Sequence, residues 1–122
     1  MKDDNYDLEE RTARFAEKIV KFCKDIKVTP VNKRIIEQLV ASSGSVGANY
    51  CEATEAESKK DFIHKMNIAR KEIKESKHWL RLLSKANPKK KKEIKTFWKE
   101  AHELLLIFSK INRTSRDNLN NN

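Results

Sequence analysis

The stretch SSGSVGANYCEA, residues 42–53, contains both glycines of the 122-residue chain. Glycine inside a helix costs about 1 kcal/mol relative to alanine, so such a stretch ordinarily reads as a loop. The apolar residues around it argue otherwise. Val31, Ile35, Leu39, Val46, Tyr50 and Ala53 fall on one face at about 100° per residue, with Ser42 and Asn49 at its edge. The phase passes through the small residues intact, which a loop has no reason to preserve. One continuous helix is therefore predicted. Thr29 serves as its N-cap and Pro30 fits its first helical position.

A helix this thin needs a physical reason. Ile36, Val40, Ser43, Gly47, Cys51 and Thr54 form a second stripe that shrinks along its length. Such a stripe lets a neighbouring backbone come close. Ser43, Gly47 and Cys51 are the close-packing candidates, with the helix covered on two sides by its own bundle and by another subunit. A glycine-rich phosphate cradle is the alternative. The GSVG segment lacks the GxGxxG spacing, the Walker lysine and a preceding strand.

The same periodicity marks three more helices. Asp7 and Glu10 make a capping-box-like pair before Leu8, Phe15, Ile19, Phe22 and Ile26, giving a helix that runs to about Lys27. Ser58 and Asp61 open a helix whose core stripe is Phe62, Met66, Ala69, Ile73, Leu80 and Leu83. Asn87 and Pro88 open the last, with Ile94, Phe97, Trp98, Ala101, Leu104, Leu105, Phe108 and Ile111 carrying it to Asn112. Only two glycines and two prolines occur in all, too few for a turn-rich β protein. The fold expected is all-α, an antiparallel up-down-up-down four-helix bundle over residues 7–112, with a disordered polar tail over 113–122. Leu106 and Ile107 fall off the main stripe, and Trp79 lies at the edge of its own. These three are candidate subunit contacts, so a homo-oligomer is expected.

Charge is unevenly placed. Residues 59–99 hold 15 Lys/Arg against 4 Asp/Glu, whereas the remainder holds 12 against 14. Along the third helix, Lys59, Arg70, Lys74, Lys77, Arg81 and Lys85 cluster on one flank, and Asp61, Glu72 and Glu75 on the other, with Lys65 breaking the pattern. Segregated flanks suit two uses: pairing with opposite flanks of neighbouring helices, or tracking a phosphate backbone. Lys89, Lys90, Lys91 and Lys92 open the fourth helix, where they oppose the helix dipole but sit beside exposed amides that favour an anion. Arg70, Lys74, Lys77, Arg81, Lys85 and these four lysines are the candidate nucleic-acid surface. Trp98 lies on the apolar stripe and reads as core rather than as a base-stacking platform.

No catalytic constellation emerges. The Glu75–His78 spacing matches one half of a di-iron motif, but no second copy exists and it faces the polar side. Cys23 and Cys51 form no CxxC, and the serines lack a nucleophile elbow. The chain reads as non-enzymatic, with no metal or other cofactor and no small-molecule substrate. No apolar run approaches the ~20 residues of a membrane span, and the acidic start lacks the apolar segment of a secretory signal. A cytoplasmic location without membrane contact is expected.

The segment GSVGANYCEATEAESKKDFIHKMNIARKEIKESKHWLRLL, followed by EAHELLLIFSKIN, resembles a bacterial four-helix-bundle family. That family is known from proteins encoded within intervening sequences of 23S ribosomal RNA genes. It also includes the accessory variability determinants of diversity-generating retroelements. The resemblance spans about Leu8 to Asn112. It implies a cytoplasmic antiparallel bundle that assembles into a barrel-like homopentamer. Its retroelement members are basic and associate with nucleic acid and a reverse transcriptase, which makes both possible partners here. It supplies no catalytic motif. The alternative function is a protein-interaction scaffold that binds no nucleic acid.

Overall fold

The structure, a computed structural model, describes residues 7–120. Four α-helices occur among them: α1 (Leu8–Lys24), α2 (Lys33–Thr54), α3 (Lys59–Ala86) and α4 (Lys91–Asn120). A short 3₁₀ turn, Pro88–Lys90, precedes α4. Phe15, Ile19, Leu39, Val46, Met66, Ile73, Leu80, Leu104 and Phe108 are fully or almost fully buried in one core shared by all four helices. α3 packs extensively against both α2 and α4, α1 lies on α2, and α1 meets α4 only lightly.

α2 runs unbroken through Gly44 and Gly47. A Cβ added at Gly47 would lie 3.1 Å from Thr12 Oγ1 and 3.8 Å from the Thr12 carbonyl carbon of α1. Thr12 is itself buried, its hydroxyl donating to Leu8 O at 2.8 Å. Ser43, one turn earlier on α2, is fully buried. The thin part of α2 therefore admits α1 of the same chain. Cys51, farther along the stripe, is exposed. On its other flank α2 meets α3 through a 2.9 Å hydrogen bond between the buried Ser42 and Ser76 hydroxyls.

The helix ends show how local sequence sets the elements. Ser58 Oγ accepts from Asp61 N at 3.1 Å, the cap its sequence predicts. Thr29 and Asn32 cap reciprocally: Asn32 Oδ1 accepts from Thr29 N at 2.8 Å, and Thr29 Oγ1 accepts from Asn32 N at 3.1 Å. The regular helix begins only at Lys33, so Val31 stays in the turn and is 70% exposed instead of joining the core face. At α1 no side-chain capping bond forms, and Glu10 instead accepts from Arg14 at 3.1 Å. α1 also stops at Lys24, three residues short of expectation, because the amides of Asp25 and Ile26 bond back three residues and tighten the last turn.

The largest departure is at the other terminus. Residues 113–120, expected as disordered tail, continue α4. Asn112 is buried, and Ser115 and Leu119 are half-buried on the same face. The face thus extends the Phe108–Ile111 stripe. The last two residues of that tail lie outside the described residues. Two side chains also sit differently from expectation. Ile63 is buried while Phe62 is only half-buried, and Trp98 faces outward at 36% exposure. Phe97 takes the inward position, edge-on to Phe22 with ring centroids 5.1 Å apart. No helix among the described residues is long and apolar enough to cross a membrane.

Candidate nucleic-acid interface

Of the basic flank of α3, Arg70 and Lys77 face α4, whereas Lys74 lies in a hollow beside Gln38 of α2. Lys77 Nζ lies 2.9 Å from His102 Nδ1 and 4.4 Å above the Trp98 ring, which stacks on His102 with an interplanar angle of 6°. One turn and more below, Arg70 lines a pocket of about 410 Å³ with Asn67 of α3 and Ser109, Asn112, Arg113 and Arg116 of α4. Asn112 Nδ2 donates to Asn67 Oδ1 at 2.8 Å across the helix pair. Asn112 is 3% exposed, and its Oδ1 has no hydrogen-bond partner among the described residues. A buried acceptor without a donor costs about 1–3 kcal/mol.

α4 contributes a matching stripe. Lys91, Lys95, Trp98, His102, Ser109, Arg113 and Arg116 recur at intervals of three, four or seven residues, so they share one side of the helix. Against them stand Arg70 and Lys77 of α3. The α3–α4 groove is therefore cationic along its length, with Asp117 the one carboxylate lining its Arg70 pocket. Three other carboxylates of the two helices, Glu75, Glu100 and Glu103, point away from the groove. Glu75 lies by Gln38 of α2, in a hollow it shares with His78, Trp79 and Lys74. Glu100 and Glu103 accept from Arg11 of α1 at 2.9 and 3.3 Å.

The α3 basic flank therefore does not pair with acidic flanks of neighbouring helices. Ion pairs among the described residues lie elsewhere: Arg11 with Glu100 and Glu103, Arg14 with Glu10, and Lys65 with Glu52. Of the candidate surface, Lys74, Arg81, Lys85, Lys89, Lys91 and Lys92 are exposed, whereas Arg70, Lys77 and Lys90 are half-buried. The lysine run is split between two elements, Lys89 and Lys90 on the 3₁₀ turn and Lys91 and Lys92 opening α4. Among the subunit-contact candidates, Leu106 is 57% exposed, and Trp79 and Ile107 pack partly buried against the core.

Arg113 and Arg116 belong to this groove, although the sequence alone assigns them to the tail. The signal for them is Leu119, seven residues after Asn112 and in phase with Phe108 and Ile111. Nucleophile and metal chemistry find little footing. Burial pushes the Cys23 thiol up to about 11, which keeps it protonated. No group of three or more His, Cys, Asp or Glu among the described residues is placed to hold a metal ion.

A crystal structure of a protein of unknown function from the S23 ribosomal protein family of Bacteroides thetaiotaomicron VPI-5482 is similar to this chain. The two share 30% identity at a TM-score of 0.75, covering 85% of this chain and 96% of the other. None of the curated proteins compared matches it. The sequence profile of the 23S rRNA-intervening sequence proteins matches residues 4–110. The chain thus belongs to the 23S rRNA-intervening sequence protein family.

Proposed function

We propose that this protein is a non-enzymatic, nucleic-acid-binding four-helix bundle that holds RNA or a structured duplex by phosphate contacts along the α3–α4 groove. The observation that carries this reading is the sorting of charge by groove. Arg70 and Lys77 face the Lys91–Arg116 stripe, while Glu75 lies beside α2 and Glu100 and Glu103 pair with Arg11 of α1. A surface selected only for solubility mixes signs along each helix. Three side-chain pairs, Asn32–Asn87, Asn67–Asn112 and Lys77–His102, support an antiparallel, up-down-up-down course. Such a groove reads phosphates without reading sequence.

The test is fluorescence anisotropy with a structured RNA at two salt concentrations. Changing Lys89, Lys90, Lys91 and Lys92 together to Gln should weaken binding at low salt. It should also lower the slope of log affinity against log salt by roughly 1 for each phosphate that the variant no longer neutralises. Unaltered affinity and slope would remove the lysine run from the interface.

A second reading rests on Leu106, which is 57% exposed, and Val20, which is 42% exposed. Apolar side chains of that exposure favour a protein contact, either a second copy or a scaffold partner. Light scattering coupled to size-exclusion chromatography separates the cases. The 14.3 kDa chain assembled as a homopentamer runs at roughly 70 kDa. A pentamer indifferent to RNA would favour the scaffold.

A further inference from the structure

We propose that the pocket formed by Arg70, Arg113 and Arg116 between α3 and α4 is a discrete phosphate-binding site, a second anchor distinct from the lysine run. The assignment deepens the polyanion reading above and rests on it for the identity of the phosphate's carrier. Three guanidinium groups line one pocket of about 410 Å³, which is room for a phosphate and its first waters. Asp117 lines it too, yet no ion pair among the described residues joins it to any of the three. The arginines hold like charge together with no neutralising contact, an arrangement that an anion relieves. Guanidinium forks match the oxygen spacing of phosphate, which an ammonium does not.

The floor adds a second, independent feature. Asn112 is 3% exposed, pairs with Asn67 through its amide nitrogen, and keeps an unpartnered carbonyl oxygen. A core position that served packing alone would be filled by an apolar residue, as Phe108 fills the preceding turn. The free carbonyl oxygen is an acceptor and does not contact an anion directly; it is placed to accept from a guanidinium or from a water that donates in turn to the phosphate.

Position makes the site separate. Arg113 lies 22 residues beyond Lys91 on the same helix, about 33 Å at 1.5 Å per residue. That span corresponds to about ten base pairs of duplex at 3.4 Å each. One bound duplex can therefore rest on both anchors, with Lys77 and Arg81 between them. Sites so far apart act independently, so their losses add.

The experiment has two arms. In the first, a 20-base-pair duplex is titrated into wild type and the double variant Arg113→Gln/Arg116→Gln, with helicity checked by circular dichroism. The expected result is about a tenfold loss of affinity and a salt slope lower by about 1–2, added to the loss from the lysine-run variant. The charge-preserving variant Arg113→Lys/Arg116→Lys should keep most of the slope while losing part of the affinity. Wild-type binding with no change in the Gln variant overturns the pocket and leaves the groove reading standing. The second arm needs no nucleic acid. Inorganic pyrophosphate is titrated while the side-chain amide NMR signals of Asn67 and Asn112 are followed. Those signals should shift in wild type and stay fixed in the Gln variant. If they stay fixed in wild type the pocket is refuted, even where the duplex binds. If they shift while no duplex binds, the pocket stands as a phosphate site and the nucleic-acid reading falls.

Discussion

At the scale of single residues, the two glycines of α2 are a matched pair with opposite surroundings. A Cβ at Gly44 meets nothing within 4 Å, whereas one at Gly47 meets Thr12 Oγ1 at 3.1 Å. Thr12 has little freedom to yield, since its hydroxyl bonds the carbonyls of Leu8 and Glu9 and the residue is 1% exposed. Gly44→Ala should therefore stabilise the protein by about 0.5–1 kcal/mol through helix propensity alone. Gly47→Ala should forfeit that gain, and Gly47→Val, which drives two methyls at α1, should cost about 2 kcal/mol or more. Urea denaturation of the three variants measures this directly, and equal effects at the two positions would refute the close-approach account. The thinness of this helix is legible in the sequence, but its partner is not. Periodicity says which residues share a face, and nothing in it says which neighbour fills the groove. Trp98 marks the same boundary. Adjacent Phe97 and Trp98 both fit the apolar stripe, and only packing against Phe22 and Lys77 decides which one turns inward.

At the scale of elements, the connections carry as much specification as the helices. Asn32 is 1% exposed and serves three partners: it accepts from Thr29 N at 2.8 Å and donates to Lys27 O at 3.0 Å and Asn87 Oδ1 at 3.1 Å. It closes the turn that leads into α2, holds the α1–α2 connection, and ties it to the turn before α4. Asn32→Ala removes all three bonds and leaves buried polar groups behind, at a cost of about 2–4 kcal/mol. Asn87→Ala removes one of the three and should cost about 1 kcal/mol. Thermal melts of both variants test the ranking, and an Asn32 effect no larger than that of Asn87 would contradict it. The cap at Ser58 is legible from four residues of sequence. The role of Asn32 is not, because its third partner lies 55 positions away. The full length of α4 escapes the sequence for a related reason. Arg113 to Asn120 is polar enough to resemble a tail, and its helicity depends on α3 standing beside it, as the Asn67–Asn112 bond records.

At the scale of the whole molecule, charge is distributed by groove rather than by helix. The polarity of α3 can be read from its own helical wheel. Its basic flank cannot be assigned to a groove until α4 is in place, because both neighbours of α3 are long helices with mixed composition. The acidic flank has its own consequence. Glu72 lies beside Glu75 on the acidic flank of α3. Burial, then the hydrogen bond and charge of Glu75, push its carboxyl up to about 7 from the ordinary 4.5. The folded protein therefore binds more protons than the unfolded chain between those values. Stability must fall as pH rises through that window, since the slope of unfolding free energy with pH follows the protons bound by the unfolded state minus those bound by the folded one. The destabilisation is absent below about pH 4.5 and fully developed above about pH 7. Glu72→Gln keeps the shape and discards the titration, so it should melt above wild type at pH 8 and converge with it toward pH 5. Melting curves of the pair at half-unit intervals from pH 5 to pH 8 supply the difference. A constant offset across that range would mean that the carboxyl ionises in the fold as it does in the unfolded chain, and that Glu72 and Glu75 do not share a proton.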